Sequence, residues 1–574
     1  MKKTFHSFSA PAIAGAFLLL FSISGFAQRG DIYLRDFGPE RMTDRNAEKP
    51  STIPGPTTQS SLTFTDITME SGLAFSYGID TPTAGSMSEF FGGGVGAGDF
   101  DGDGDIDLYF VAGDAMPNCL FENLGNNRFV EVAGDVGLGV TAKGSGPTFA
   151  DIDGDYDLDL FIGGVEGAPT FVFRNEGGFF EDMTALSGIS FNAPNTISAA
   201  FGDYDRDGDL DLFASHWGNH KTGPGFDTEH LWQNQGDGTF RNVSLESGIS
   251  DQIVVQLSIG GIPGWDNIDY TFSPNFADID NDGFCDVVIA ADFGTSQVFH
   301  NNGDGTFTRV TDPSVIVDEN GMGATVADYD NDGDLDWFVT AIFKTDASGG
   351  VISPGNRLYR NLGNGQFEDV TLAAGVSRGG WGWGSSFADF NNDGHLDIFH
   401  TNGWAQKGVG IRDYTVDPVK LFISNGDGTF TNQAAKARLF SNGQGRGVVT
   451  LDSDQDGDLD ILITNNDSNA VVLYRNDYGN KFHYLNVRLL GKAPNTQAVG
   501  ARIYLTANGM TQMRELSIGT NYASQNPMQE HFGLAAAEVV ETVRVVWGDG
   551  EVTLLENVRP NQFITINHPG IKRL

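Results

Sequence analysis

The feature that most constrains this chain is a nine-residue acidic loop, Asp-x-Asp-x-Asp-Gly-x-x-Asp or a near copy, that recurs seven times. It reads DFDGDGDID from Asp99 to Asp107, DIDGDYDLD from Asp151 to Asp159, DYDRDGDLD from Asp203 to Asp211 and DIDNDGFCD from Asp278 to Asp286. It returns as DYDNDGDLD from Asp328 to Asp336, DFNNDGHLD from Asp389 to Asp397 and DSDQDGDLD from Asp452 to Asp460. Each copy enters an apolar strand such as LDLYF, LDLFIGG or LDWFVTAIF. One copy would pass as a turn. Seven with shared spacing predict a repeated structural unit folded around a hard cation.

Calcium takes six to eight oxygen ligands in flexible geometry, and a tight turn can turn the oxygens of positions 1, 3 and 5 inward. Those positions hold Asp99, Asp101 and Asp103; Asp151, Asp153 and Asp155; Asp203, Asp205 and Asp207; Asp278, Asp280 and Asp282; Asp328, Asp330 and Asp332; Asp389, Asn391 and Asp393; and Asp452, Asp454 and Asp456. Position 7 offers a backbone carbonyl, from Asp105, Asp157, Asp209, Phe284, Asp334, His395 and Asp458 in turn. Position 9 closes the shell with Asp107, Asp159, Asp211, Asp286, Asp336, Asp397 and Asp460. The expected cofactor is therefore Ca²⁺, up to seven ions. Magnesium demands stricter octahedral geometry and keeps its waters. Zinc favours His or Cys, which these loops do not offer as side-chain ligands in the pattern. An EF-hand needs a Glu at position 12 and flanking helices. Glycine at position 6 permits the sharp reversal. The second loop has Tyr156 there, so its turn is expected to be strained or altered. Asn391 in the sixth loop keeps an oxygen and drops a charge. Without metal, carboxylates about 4 Å apart repel by about 1–4 kcal/mol per pair at effective dielectrics of 80 to 20, so binding is expected to be part of the folding energy.

Charge and composition narrow the function further. The 574 residues carry 34 Lys+Arg against 76 Asp+Glu, a formal charge of −42. Seven calcium ions would offset about 14 of these charges, and the remainder disfavours nucleic acid or an anionic membrane as partner. The 76 glycines are about twice the ordinary share and suit many tight turns. Residues 1–27 read as a secretory signal: Lys2 and Lys3, then the apolar run within Ala12–Ala27, with Gly25 and Ala27 before a cut ahead of Gln28. No other apolar run reaches spanning length, so no membrane span is expected. The expected location is secreted, periplasmic or cell-surface. The two cysteines, Cys119 and Cys285, lie in different repeats and read as buried free thiols.

Residues 28–60 read as a polar, proline-bearing flexible leader. From there the loops start at 99, 151, 203, 278, 328, 389 and 452, a base period of about 50 residues with insertions. Each repeat shows four strand-like pieces. A Gly/aromatic strand precedes the loop, an apolar strand follows it, a shorter one such as RLYRNLG comes third, and the fourth follows a Gly-Asp-Gly or Gly-Asn-Gly turn, as at Phe240–Ser244, Phe307–Thr311 and Phe367–Thr371. The turn aspartates, such as Asp304, are not expected to be ligands. The expected fold class is all-β, a seven-bladed β-propeller over residues 61–482 followed by a small β-rich domain at 483–569. Phe64–Phe75 resembles a fourth strand that precedes the first loop. It is expected to pair into the last blade and close the ring.

These repeats resemble the FG-GAP/VCBS repeats of integrin α-subunit propellers. That resemblance implies acidic loops joining the first and second strands of each blade and holding Ca²⁺ through the positions named above. The stretches YLNVRLLG, AVGARIYLTANG, RELSIGTNYASQNP, EHFGLAAAEVVETVRVVWGDGE and LLENVRPNQFITI resemble an ASPIC/UnbV domain. The pairing is the layout of bacterial relatives of cartilage acidic protein. Read from its residues alone, the C-terminal module shows alternating hairpin patterning around a Gly-Asp-Gly turn. It is expected to pack against the propeller.

If the loops occupy one face of the disc, the insertions at 216–229, 344–355 and 403–418 and the link at 250–273 share the other. Enlarged loops on a rigid scaffold are where ligands bind. They carry Trp217, Trp265, Tyr270, Trp404 and Tyr414, with Trp381 and Trp383 near the same rim. Such aromatics either stack on a ligand or fill the funnel, and large aromatics usually pack. His216, His220 and His230 with Asp227 and Glu229 form the most catalytic-looking cluster, but no catalytic residue is assigned. The expected function is an exported calcium-binding interaction or adhesion protein with an extracellular protein or glycan ligand on the insertion face. Alternatives are an exported polysaccharide-active enzyme and a structural envelope component.

Overall fold

The computed structural model describes residues 62–571 except 81–85, 221–226, 254–266, 347, 405–413, 467–469 and 520, and for His220 the backbone alone. The expected signal and leader, and Trp265, lie outside the described residues. The described chain is almost entirely strand. Its first large unit is seven antiparallel four-stranded blades, each built as the period predicts, with the third and fourth joined into one sheet where Trp217 pairs with Tyr270. In the first blade the strands are Val95–Gly98, Asp107–Phe110, Cys119–Asn123 and Phe129–Glu131. The inner strands of the next five are Gly144–Ala150, Thr196–Gly202, Ile268–Ala277, Ala324–Ala327 and Gly382–Ala388. In the seventh blade Gly445–Leu451, Asp460–Asn465 and Val472–Asn476 are completed by Phe64–Asp66, which pairs Phe64 with Asn476. The closure strand expected from the sequence is thus the outer strand of the last blade.

Each inner strand packs on the next, and the first packs on the seventh, so the ring is closed. Glycine lets these strands approach. A Cβ on Gly146 would stand 2.6 Å from the Ile197 carbonyl oxygen, and one on Gly384 would stand 2.4 Å from that of Arg446. Between the blades the cores are made of the apolar residues that follow each loop, such as Leu108 and Phe110 or Trp337 and Val339.

The second unit is two facing sheets. His483–Leu490 runs between Glu530–Ala535 and Gln562–Asn567. Met510–Glu515, Arg502–Ala507, Val540–Val546 and Val552–Val558 form the other sheet. Leu485, Val487, Ile503, Phe532, Val543 and Trp547 are buried between them. This sandwich lies on the acidic-loop face of the ring. From it a finger, Ile518 to Asn526, enters the space that the inner strands surround. Ser524–Gln525 pairs in parallel with Val95 and Gly96. Gln525 grips Phe149 through both its main-chain groups, at 2.6 and 2.8 Å. Asn521 donates to the Val448 carbonyl at 3.0 Å, and the Ala523 N–H to Ser198 Oγ at 3.0 Å.

At its tip Tyr522 meets the aromatics of the insertion side. Trp217, Tyr270, Trp381, Trp383, Trp404 and Tyr414 are all buried in one cluster with Phe91, Phe272 and Tyr522. Trp381 stacks on Trp404 at 4.7 Å, and Tyr522 packs edge-on to Trp383 at 5.1 Å. Of the two readings open for these rings, packing holds: they fill the funnel, because burying such large apolar faces outweighs displaying them.

Candidate metal centres on the loop face

All seven loops join the first and second strands of their blades, so all lie on one face. Within a loop the position-1 carboxylate is fixed by backbone donors. Asp328 accepts from the N–H of Asp332 at 3.0 Å and of Gly333 at 3.1 Å, and Asp452 accepts likewise from Asp456 and Gly457. Position 5 accepts from the N–H of position 7, as Asp103 does from Asp105 at 2.8 Å. Position 9 is held at both oxygens. Asp107 accepts from Phe100 N–H at 3.1 Å and from Asn123 N–H at 2.8 Å, and the same pair of bonds recurs in the other six blades.

Side chains tied down this way converge. Ligand atoms of Asp99, Asp101 and Asp107 lie within 4.8 Å of one another, as do those of Asp151, Asp153 and Asp159, of Asp203, Asp205 and Asp211, and of Asp278, Asp280 and Asp282. Several of their oxygens are buried without a hydrogen-bond partner: Oδ1 of Asp99, Asp153, Asp203, Asp330, Asp454 and Asp458. A buried carboxylate oxygen without a donor is costly unless a cation meets it. The all-oxygen donor set and these orphaned atoms fit calcium.

The acidity of the groups carries the same message. Burial, with neighbouring carboxylates, pushes Asp107 and Asp286 up to about 8. Asp203 and Asp328 rise to about 7 and Asp452 to about 8 for the same reasons. Asp159, Asp211, Asp336, Asp397 and Asp460 are also raised well above 3.8, chiefly by burial. The metal-free folded chain therefore holds protons that the unfolded chain releases near pH 4. Stability present below about pH 4 is lost progressively as pH rises through about 8. In chelator, thermal midpoints should fall from pH 5 to pH 8, and saturating calcium should remove or invert that slope. A chelated midpoint that rises over the same range would contradict it.

The second loop keeps its geometry. Tyr156 takes φ +80°, in the left-handed region that Gly104 and Gly208 occupy at +98° and +100°. Asp151 accepts from Gly154, Asp155 and Tyr156 N–H. The turn is thus strained but unaltered. In the sixth loop Asn391 Oδ1 accepts from Asp393 N–H at 3.0 Å. The plain turns behave otherwise: Asp304 only caps its own turn through Thr306 at 2.6 Å.

Three features escaped the sequence reading. The first is the residue ending each third strand. Asn361 Nδ2 donates to the Leu335 carbonyl in its own blade at 3.1 Å and to that of Ile279 in the preceding blade at 2.7 Å. Asn175, Asn234, Asn301 and Asn476 make the equivalent bonds, and Asn123 reaches Ser453 across the closure. Only the sixth blade departs, with Ser424. The recurring Asn of RLYRN and VLYRN was the available signal. Asn361→Ala strands two buried carbonyls and should cost about 2–3 kcal/mol in denaturant unfolding; a loss below about 0.5 kcal/mol would contradict the staple.

The second is His300, whose Nδ1 stands 3.0 Å from Asp280 and 3.2 Å from Asp286. It occupies the third-strand position that Arg174 and Arg360 hold in other blades, each beside a position-3 aspartate.

The third is how the C-terminal sandwich meets position 1 of the loops. Arg488 donates to Asp99 Oδ2 at 2.8 Å, leaving Oδ1 inward. Thr496 donates to Asp151 Oδ2 and Asn486 to Asp452 Oδ2. Arg502 pairs with Asp278 at 3.3 Å. Buried Arg514 places its charge by Asp328 and Asp389.

Among the described residues the histidine cluster forms no open site, the His220 side chain lying outside them. His216 is buried, bonded to Thr196 Oγ1 and the Glu229 carbonyl, and burial lowers it to about 3. His230 is opposed by burial but raised by Asp269, 2.8 Å away across the blade junction. Glu229 accepts from Asn192 N–H and Nδ2, and Asp227 from Asn242 Nδ2. Cys119 and Cys285 are free thiols.

A closed seven-bladed β-propeller with an acidic loop in every blade and a β-sandwich on its loop face defines the class of this protein. It is an FG-GAP-like repeat protein with a C-terminal ASPIC and UnbV domain: the FG-GAP-like repeat matches residues 99–162, 151–214, 278–339 and 346–400, and the ASPIC and UnbV family matches residues 491–573. The chain is similar to cartilage acidic protein 1 of Mus musculus, 27% identical over 503 residues, or 80% of this chain and 71% of that protein. It is similar to the Homo sapiens protein of the same name, 26% identical over 537 residues, or 83% and 73%. A solved structure of an Agrocybe aegerita lectin recognising non-reducing terminal N-acetylglucosamine aligns with 68% of this chain and 91% of that one, at 17% identity and a TM-score of 0.35. No helix among the described residues is long and apolar enough to cross a membrane.

Proposed function

We propose that this chain is an exported, calcium-stabilised scaffold that acts as an interaction or adhesion protein for an extracellular protein or glycan, with no catalytic role. The observation that carries this reading is the set of orphaned, buried carboxylate oxygens in the acidic loops, which suits the calcium-rich setting that the N-terminal sequence of residues 1–27 addresses. Seven ions held between strands and beneath a docked second domain would make a rigid frame and not a moving one. The finger fills the axial space where a propeller otherwise offers a cavity, so the ligand is assigned to the outer surfaces: the insertion face or the rim where the two units meet. The enzyme reading loses its best cluster, since His216 and His230 are spent on internal bonds. Similarity to cartilage acidic protein 1 is consistent with an interaction role. The test is binding by the mature chain, immobilised in calcium, to arrays of extracellular glycans and matrix proteins. Saturable binding that chelation abolishes is expected. Turnover of a polysaccharide with no saturable, turnover-free ligand would overturn the reading.

A further inference from the structure

We propose that the cleft between the first two acidic loops and the C-terminal sandwich binds a neutral saccharide unit. This rests on the reading of the chain as an interaction protein and gives that reading a place and a ligand class. The cleft has a volume of about 350 Å³, within the range of small-ligand sites, roughly 300–1,000 Å³. The loops supply one wall with Tyr156 and Asp103, and the sandwich supplies the other with Arg488, Gln529, Phe563 and Thr565.

Two exposed aromatic rings line it, beside buried Phe100. Tyr156 is 47% exposed and Phe563 is 38% exposed, in a molecule whose other large rings are mostly packed away. Tyr156 stands where the other six loops carry glycine, and it bears a left-handed backbone to do so. Among the described residues its hydroxyl finds only the Gly491 carbonyl, at 3.5 Å. The apolar C–H face of a pyranose is what such rings bury well.

The polar groups are of the kind that read hydroxyls. Among the described residues Gln529 is half-buried and its side chain makes no internal hydrogen bond, although its main-chain N–H is engaged. Arg488 spends one nitrogen on Asp99 and keeps a side chain 47% exposed. An amide presents a donor and an acceptor side by side, matching adjacent hydroxyls. Asp99, only 7% exposed, lines the same cleft with Oδ1 unpartnered, an oxygen positioned for a cation.

Charge selects among sugars. The chain carries −42, and Asp103 and Asp157 stand in the cleft wall, so an acidic saccharide is repelled on approach.

The calcium-loaded full chain should be titrated with neutral hexoses and hexose disaccharides, and with the matching hexuronates, by calorimetry and ligand-observed NMR. Saturable binding of a neutral sugar is expected, with the hexuronate at least about tenfold weaker. Tyr156→Gly removes one ring and also relieves the left-handed backbone, so it should weaken binding about tenfold or more while its melting midpoint holds or rises. Gln529→Ala should weaken binding similarly. The proposal is overturned if no neutral saccharide saturates, or if both variants bind as the parent does. A chain that binds no sugar but still loses its midpoint on chelation sinks this cleft and leaves the calcium-scaffold reading standing.

Discussion

Stripping calcium from the mature chain should lower its melting midpoint on the order of 10–20 °C at neutral pH. The size follows from the loops. A site held at ten times its dissociation constant adds about 1.4 kcal/mol to folded-state stability and one at a hundred times about 2.7, ratios that about 10 mM calcium reaches for sites of the extracellular class. Seven such sites sum to about 10 kcal/mol or more before any coupling. Without the ions the same carboxylates work against the fold: Asp203 and Asp328 are pushed to about 7 and Asp107 to about 8 by burial and by one another. Magnesium should restore little, since it gives up water reluctantly. Within the set, Asp328→Ala should remove most of one site's share, and Asp304→Ala, in a plain turn, should change the midpoint by less than about a degree. Calorimetric scans in calcium and in chelator decide it; superimposed traces would sink the idea that the ions hold the blades.

The second large effect is expected from one glycine. Gly519 lies at the root of the finger with φ +85°, and a Cβ there would stand 2.0 Å from the Ala199 carbonyl oxygen and 2.7 Å from Ala200 Cα. Both are backbone atoms of an inner strand, so no side chain can move aside. Gly519→Val should displace the finger and cost about 3–5 kcal/mol. Withdrawal of Tyr522 from Trp383 should change tryptophan emission, and protease should cut within residues 516–529. Gly550→Ala is the control: its φ is +87° with open space around it, so it should pay only the left-handed penalty, about 1–2 kcal/mol. A Gly519→Val chain that melts and resists protease like the parent would show that the finger does not brace the ring.

The legible part of this molecule is the part that repeats. Seven loops at one spacing, each followed by an apolar strand and a glycine turn, could be aligned against one another, and that fixed the blade count and the closing strand at Phe64–Asp66. The stapling asparagines were open to the same alignment, because Asn175, Asn234, Asn361 and Asn476 end comparable strands. An Asn before a turn reads first as a turn former, which hides the stapling role. The finger had no such signal. Ser524 and Gln525 pair with Val95 and Gly96, more than 400 positions away in sequence, and no local pattern announces a contact of that span. The buried Trp381–Trp404 stack was legible only as the usual outcome for large aromatics, since a ring near the rim looks alike in sequence whether it faces solvent or the axis. Arg488, Arg502 and Arg514 could be read only as isolated cations until the sandwich was seen seated on the acidic loops.

The central claim is that the acidic loops hold calcium, and the most direct test is stoichiometry. Mature chain freed of metal should be dialysed against buffer with about 1 mM calcium, in the extracellular range, and its bound metal measured by elemental analysis beside a calorimetric titration. The account predicts several ions per chain, approaching seven, with one fewer when Asp328 and Asp332 are both replaced by alanine. A chain that retains no calcium above the buffer level, while folded, would contradict it.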